Sequence, residues 1–207
     1  MKTIAIADYG VGNLFSLSSS LKYLGLESVI TCDSDTILSA DRVILPGVGA
    51  FGDAMDKLRA SGIRPALDAF VSSGRPLMGI CLGMQLLFEK SYEYGEHDGL
   101  GYIPGSVKPL TDAFAGLGIA LKVPHMGWNS LDIKLSHPIM KNTHSGDFVY
   151  FVHSFYAECG SEYIAADSQY GISVPAVAVK ENVCGCQFHP EKSGSVGLDI
   201  LRAFAEM

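Results

Sequence analysis

The sequence predicts one α/β domain over residues 1–207, with a mixed, mainly parallel central sheet flanked by helices and extra antiparallel strands in the second half. Three observations carry this prediction. Strand-length apolar runs alternate with helical periodicity over roughly the first ninety residues, the pattern of parallel strands joined by right-handed crossovers. In the second half, strand-like runs follow one another through short, turn-rich links such as Glu181-Asn182, which favour antiparallel pairing. No internal repeat, low-complexity tract or composition shift marks a linker.

Taken in order, Thr3 to Asp8 reads as a buried strand and Tyr9-Gly-Val-Gly12 as a glycine-rich turn. Asn13 can cap the next helix, in which Leu14, Leu17, Leu21 and Leu24 recur at helical spacing until Gly25 stops it. Ser28 to Cys32 and Arg42 to Leu45 are strands, the second ended by Pro46-Gly-Val-Gly49. Helical patterns run from Ala50 to Leu58 and from Ile63 to Val71. Pro76 to Ile80 is a fourth strand, and Leu82 to Phe88 opens a helix. Further on, Ser106 to Leu110, Gly118 to Val123, Ser130 to Lys134 and Phe148 to Ser154 look like strands. So do Tyr163 to Asp167, Ala176 to Lys180 and Cys184 to Phe188. Leu198, Leu201 and Ala205 mark one face of a closing helix from Val196 to Glu206.

Composition narrows the function. Hydrophobic residues make up 48% and charged residues 18%, a globular balance that excludes disorder. The net charge is −7 and there is no basic run, so neither nucleic acid nor an anionic membrane surface is expected as a partner. The longest apolar stretch, Leu77 to Phe88, is broken by Gly79, Gly83 and Gln85 and falls short of the ~20 residues of a spanning helix. The apolar part of residues 1–8 is too short for a signal peptide. Five cysteines at irregular spacing fit a reducing cytoplasm better than a disulfide scaffold. Cys184-Gly-Cys186 would put two thiols on one strand face. No second ligand pair follows at zinc spacing, so they read as two buried small side chains, with no metal or cofactor expected.

Gly79-Ile80-Cys81-Leu82-Gly83 follows an apolar strand and precedes a helix, the cysteine version of the nucleophile elbow. The glycines allow a sharp turn, and the helix N-terminus lowers a thiol pKa from its ordinary ~8.5. The Leu82 N–H is free to help bind an oxyanion. The pentapeptide alone equally fits a buried core cysteine between packing glycines. In His189-Pro190-Glu191, extended geometry would put both side chains on one side, His189 as general base and acid and Glu191 as the group fixing its tautomer. Alone, it also fits a surface His and Glu beside a proline turn. Gly47-Val48-Gly49, at the end of a neighbouring strand, lets a ligand approach the backbone and could complete the oxyanion hole with Leu82. An ordinary strand-to-helix turn is the alternative there. Tyr9-Gly-Val-Gly12 lacks the further residues of a dinucleotide or phosphate loop.

Five segments occur together in order: Pro46-Gly-Val-Gly-Ala-Phe-Gly52, Gly79-Ile-Cys-Leu-Gly-Met-Gln-Leu-Leu-Phe88, Pro124-His-Met-Gly-Trp-Asn129, Tyr150-Phe-Val-His-Ser154 and Gln187-Phe-His-Pro-Glu-Lys192. With them the chain resembles class I glutamine amidotransferases over essentially its whole length. The first and third segments resemble the branch that supplies ammonia for histidine biosynthesis. The resemblance implies a flavodoxin-like fold and a Cys81, His189, Glu191 triad that hydrolyses glutamine through a thioester. It implies glutamine held near Gly49 and by Gln85, Glu93 and main-chain groups around His153, Ser154 and Phe155. Glu93 would meet the α-ammonium, although it also fits a solvated charge beside Glu89 and Glu96. The partner implied is a (β/α)8-barrel cyclase, docked on a loop that carries Met126, Trp128 and Asn129 and on Tyr150 and Lys192. Trp128 could instead be core. A glutaminase of another synthase, as for pyridoxal phosphate, is a second reading, which the Pro-Gly-Val-Gly stretch opposes. A non-enzymatic α/β binding or chaperone protein is a third, and it has no need of His189 and Glu191.

Overall fold

The computed structural model describes residues 3–207. The reading of residues 1–8 as lacking a leader rests partly on Met1 and Lys2, which lie outside them. Strand β1 (Thr3–Ala7) alternates strictly. Ile4 and Ile6 enter the core on one face of the sheet, and Ala5 and Ala7 enter the core on the other. A residue period of two makes this unavoidable once both faces are covered. Helix α1 (Leu14–Tyr23) starts where the Asn13 side chain accepts the Ser16 N–H at 3.3 Å, and it buries Leu17 and Leu21. Strand β2 (Glu27–Thr31) and the short α2 (Ser34–Ser39), which the sequence reading missed, lead to β3 (Arg42–Gly47). Asp33 caps α2 through both the Thr36 N–H and its hydroxyl, a signal carried by a single Asp-x-x-Thr.

Helices α3 (Phe51–Ser61) and α4 (Arg64–Ser72) cover the Ala5 face. Strand β4 (Leu77–Cys81) is buried throughout and turns directly into α5 (Leu82–Leu86). The helix expected to Phe88 stops at Leu86. Beyond it the Leu86, Phe88 and Glu89 carbonyls accept N–H groups from Leu100, Gly101 and Gly99. Once those carbonyls are committed to another strand of chain, helical bonding cannot continue. The segment becomes β5 (Phe88–Ser91), followed by β6 (His97–Asp98) and β7 (Ile103–Pro109).

Gly118 to Val123 is not a strand. The chain forms α6 (Leu110–Leu117) after Pro109, ends it at left-handed Gly118, and continues without regular structure. An Ala-, Gly- and Leu-rich run with no clear period cannot distinguish the two outcomes. Ser130 to Lys134 also moves: β8 (His125–Ser130) and β9 (Asp132–Ile133) replace it, so Met126 to Asn129 lies on a strand rather than in a loop. Strands β10 (Phe148–His153), β11 (Phe155–Glu158), β12 (Ile164–Tyr170), β13 (Ile172–Lys180) and β14 (Val183–Cys186) follow, then α7 (Gly194–Glu206).

The main sheet runs β2-β1-β3-β4-β14-β13-β12-β9. Pairing is parallel from β2 through β14 and antiparallel beyond. Helices α1 and α7 pack on the face that holds Ile4, Met78, Cys184 and Cys186. Both cysteines are fully buried, as expected. A two-stranded pair, β10-β8, and a second sheet, β11-β7-β5-β6, flank the carboxyl end of the parallel strands. Buried Arg42 donates from Nε to the Phe204 carbonyl at 3.0 Å, satisfying an end carbonyl of α7.

The β4–α5 junction is packed to backbone contact. A Cβ built at Gly83 would lie 1.8 Å from the Leu45 carbonyl oxygen, and one at Gly79 would lie 2.5 Å from the Gly83 oxygen. Gly116, inside α6, has nothing within 4 Å. Gly83→Ala is therefore expected to cost about 3 kcal/mol or more, as backbone must move. Gly116→Ala should gain about 0.5 kcal/mol from lost unfolded-state entropy. Urea midpoints of the two variants against the parent check both signs.

Candidate active site

Cys81 ends β4 with φ 54° and ψ −111°, a left-handed conformation rare for a residue with a side chain. Such strain costs on the order of 1–3 kcal/mol and persists only where packing enforces it. Here the enforcement is the Gly79–Gly83 contact just described. The turn brings Cys81 to the wall of a cavity of about 380 Å³, within the range of small-molecule sites. Leu82, Val48 and Gly49 also line it, Gly49 with φ 97°. Gly47 does not line it. It pairs with Cys81 as the last residue of β3, and a Cβ there would come 2.6 Å from the Gly83 nitrogen. Gly47 is thus a packing glycine, and the expected oxyanion loop is confined to Val48 and Gly49.

His189 is extended (φ −97°, ψ 99°), and its N–H is held by the Tyr150 carbonyl at 3.1 Å. Glu191 is not on extended chain. Pro190 opens a single 3-10 turn over Pro190–Lys192, which folds the carboxylate back until Oε1 lies 2.9 Å from His189 Nδ1. Both side chains are buried, so the surface alternative is excluded. Burial alone would lower the His189 pKa. Hydrogen bonds with Cys81 and Glu191 outweigh it and push the imidazole up to about 9. Nδ1 is directed at the Glu191 carboxylate, and that carboxylate and the nearby Cys81 sulfur both favour the charged imidazole.

The expected glutamine-binding residues meet in the same cavity. Gln85, Glu93, His153, Ser154 and Phe155 all line it. Glu93 is 8% exposed, not a solvated charge, and its Oε2 accepts the Phe51 N–H at 2.6 Å. Burial holds its carboxyl above the usual range, against the pull of that N–H and of His97. Gln85 donates from Nε2 to the Phe155 carbonyl at 3.1 Å. The His153 ring is committed elsewhere, with Nδ1 2.8 Å from the same carbonyl and Nε2 3.0 Å from His125 Nδ1. A carbonyl only accepts, so His153 carries its proton on Nδ1, and the facing proton belongs to His125. Burial lowers His125 to about 4 and His153 to about 3, the latter despite the Phe155 carbonyl.

Beside the cavity, β8 and β10 pair Tyr150 with Trp128. Trp128 is 55% exposed and Met126 61%, so Trp128 is not core. The Trp128 and Tyr150 rings meet edge to face at 6.2 Å. Lys192 is exposed. Asn129 is only half exposed, and its amide is spent on the Gln169 carbonyl at 2.9 Å and the Ser130 N–H at 2.8 Å. Among the described residues no group of three or more His, Cys, Asp or Glu is placed to hold a metal ion.

Sequence reasoning missed three residues. Gln187 is fully buried and its Nε2 points at Cys81 Sγ, 3.9 Å away. Its position two before His189 was a usable signal. His125 is stacked between Tyr170 and Phe151 at 4.0 and 4.6 Å, which no local pattern announces. Tyr9, in the discounted glycine-rich turn, donates to the Pro46 carbonyl at 2.6 Å and so pins the base of the Val48–Gly49 loop.

The family profile described as glutamine amidotransferase class-I matches residues 5–206. A Caldanaerobacter subterraneus protein, imidazole glycerol phosphate synthase subunit HisH, is 49% identical over 206 residues, covering 99% of this chain and 98% of its own. The Listeria innocua protein of the same name is 50% identical over 204 residues, covering 99% and 95%. Among solved structures, a glutamine amidotransferase superposes with a TM-score of 0.74 at 20% identity, covering 98% of this chain and 97% of its own. PurLQS from Thermotoga maritima superposes with a TM-score of 0.72 at 17% identity, covering 99% and 98%. Those two likenesses establish the fold, while the profile and the near-half identities establish descent: the chain belongs to the class-I glutamine amidotransferase family.

Proposed function

We propose that this chain, as one amidotransferase domain over residues 1–207, is the glutaminase subunit of an imidazole glycerol phosphate synthase, acting in the cytoplasm in histidine biosynthesis. The observation that carries the reading is the buried Cys81–His189–Glu191 constellation, with Cys81 and His189 on the cavity wall, in a chain about half identical to HisH proteins over its length.

Glutamine enters with its α-ammonium toward Glu93 and its carboxamide at Cys81. The thiolate attacks the carboxamide carbon, and the C=O electron pair moves to oxygen. The N–H groups of Leu82 and of the Val48–Gly49 peptide receive that oxyanion. As the C–N bond breaks, His189 gives its proton to the departing nitrogen, and ammonia leaves behind a γ-glutamyl thioester. The now neutral imidazole takes a proton from water, which attacks the thioester carbon. Glutamate departs and the thiolate–imidazolium pair is restored. Glu191 holds the ring orientation through both halves.

Free ammonia is soon protonated in water, so the product is useful only if it passes directly to an acceptor. The acceptor site is placed on a (β/α)8-barrel cyclase, which forms imidazole glycerol phosphate and releases the aminoimidazole carboxamide ribotide. Exposed Met126 and Trp128, with Tyr150 and Lys192 beside the cavity, support a docking face there. Asn129 would contribute from its own strand position. The Gly49 conformation supports a peptide that turns toward the oxyanion when the partner binds.

Cys81→Ala should abolish glutamine hydrolysis while ammonia-dependent synthesis by the assembled complex survives. Residual glutaminase turnover in that variant sinks the thioester route. His189→Ala should lose about 10²–10⁴-fold and Glu191→Gln less, read as the initial rate of glutamate release. His189 should titrate near pH 9 by NMR. Because this folded pKa lies above the unfolded ~6.5, its stabilisation is complete below pH 6.5 and lost as pH rises through 9. Glu191→Gln should move the titration down, and an unmoved midpoint refutes the carboxylate's role. Finally, the free chain should be a poor glutaminase, accelerated by the cyclase, with Trp128 fluorescence changing on mixing. Full activity without the partner contradicts the gating.

A further inference from the structure

Gln187 takes no part in the steps above, yet it is fully buried behind the nucleophile. Its orientation follows from a single acceptor. The Phe155 carbonyl can only accept, and the Gln85 amide group lies 3.1 Å from it. Gln85 must therefore present Nε2 on that side rather than Oε1. The same nitrogen is 3.0 Å from Gln187, so the Gln187 atom that faces it is Oε1. This leaves Gln187 Nε2 directed at Cys81 Sγ, 3.9 Å away. A reversed Gln187 amide would set two donor nitrogens against each other at 3.0 Å and turn an oxygen toward the sulfur.

We propose that Gln187 is a positioning residue for the nucleophile: its Nε2–H, aimed through Gln85 by the Phe155 carbonyl, faces the Cys81 sulfur and favours the thiolate over the thiol. The inference rests on the reading of Cys81 as the nucleophile. At 3.9 Å a neutral thiol gains little from an N–H. A charged sulfur gains more, because charge–dipole attraction falls off slowly and the sulfur meets Gln187 on its buried side. Gln187 does not line the cavity. It therefore acts through Cys81 and through its partner Gln85, which does line the cavity and keeps its own bond to the Phe155 carbonyl. The amide pair fixes the sulfur relative to the wall against which the carboxamide is placed.

The test is the pH dependence of Cys81 alkylation by iodoacetamide in the folded chain. It is followed on the Cys81 peptide by mass spectrometry, since exposed Cys32 also reacts. Gln187→Met keeps the length of the side chain and removes the donor. The expected result is a midpoint about one pH unit higher. In the complex, kcat for glutamine should fall with KM nearly unchanged. A merely structural glutamine would lower thermal stability and leave the alkylation midpoint where it is, and that outcome overturns the proposal. Should the variant fail to fold, the Gln187 side-chain amide resonance of the parent protein serves instead. It should step with the thiol titration and lose that step in Cys81→Ala. A flat resonance in the parent overturns the proposal equally. Alkylation needs no glutamine turnover, so the two readings fail separately. A shifted midpoint without glutaminase activity defeats the function proposed above, and glutaminase activity with an unmoved midpoint defeats only the role of Gln187.

Discussion

The left-handed turn at Cys81 is the constraint on which the rest of the site depends. A cysteine does not hold φ 54° by preference. It holds it because β4 passes into α5 with no intervening loop, and because Gly79 and Gly83 let the two backbones touch. A strand–turn–helix this tight fixes where the sulfur points to within the precision of backbone packing. The neighbouring strands then complete the site with little further ordering. Strand β3 delivers the Val48–Gly49 peptide from one side, and β14 delivers Gln187 and His189 from the other, since β3 and β14 are the two neighbours of β4 in the sheet.

Three histidines in one region are separated by their partners. His189 has a carboxylate on Nδ1 and the Cys81 sulfur nearby, and both favour its charged form. His153 and His125 have a backbone carbonyl and each other, which satisfy neutral rings without compensating a buried charge. The cavity thus contains one imidazole able to donate and retrieve a proton near neutral pH, with His153 held as part of the wall. The distinction resides in the second bonding partner of each ring, a pattern familiar from acid–base sites in which environment sets role.

Much of this was legible in the sequence. The first parallel strands, the Asn13 cap, the elbow and the His-Pro-Glu segment depend on local chemistry, and each lies within a residue or two of its expected place. The errors share a cause. Leu82 to Phe88 has helical composition throughout, but carbonyls claimed by Gly99 to Gly101 end the helix at Leu86. The Met126 to Asn129 segment holds a glycine and an asparagine, yet antiparallel pairing with β10 makes it a strand. Gly47 reads as flexible until its Cβ position is found filled by the Gly83 backbone. In each case a group remote in sequence decides, and no local period records it. Gln187 was overlooked for a different reason: its meaning lies in the direction of an amide, which only the Phe155 carbonyl determines.

The position of β14 has a consequence for the order of events during synthesis. It is among the last strands in the chain but sits in the interior of the sheet, between β4 and β13. While the chain is still being translated, β4 has no partner on that side, and Gln187 lies 106 positions downstream of Cys81. Until β14 is made, the Cys81 segment therefore has neither His189 nor Gln187 to stand beside it. The insertion of a single late strand brings both side chains to the Cys81 turn. Closure across so long a separation is entropically slow. Until then that edge of β4 is unpaired, and an unpaired edge invites wrong pairing.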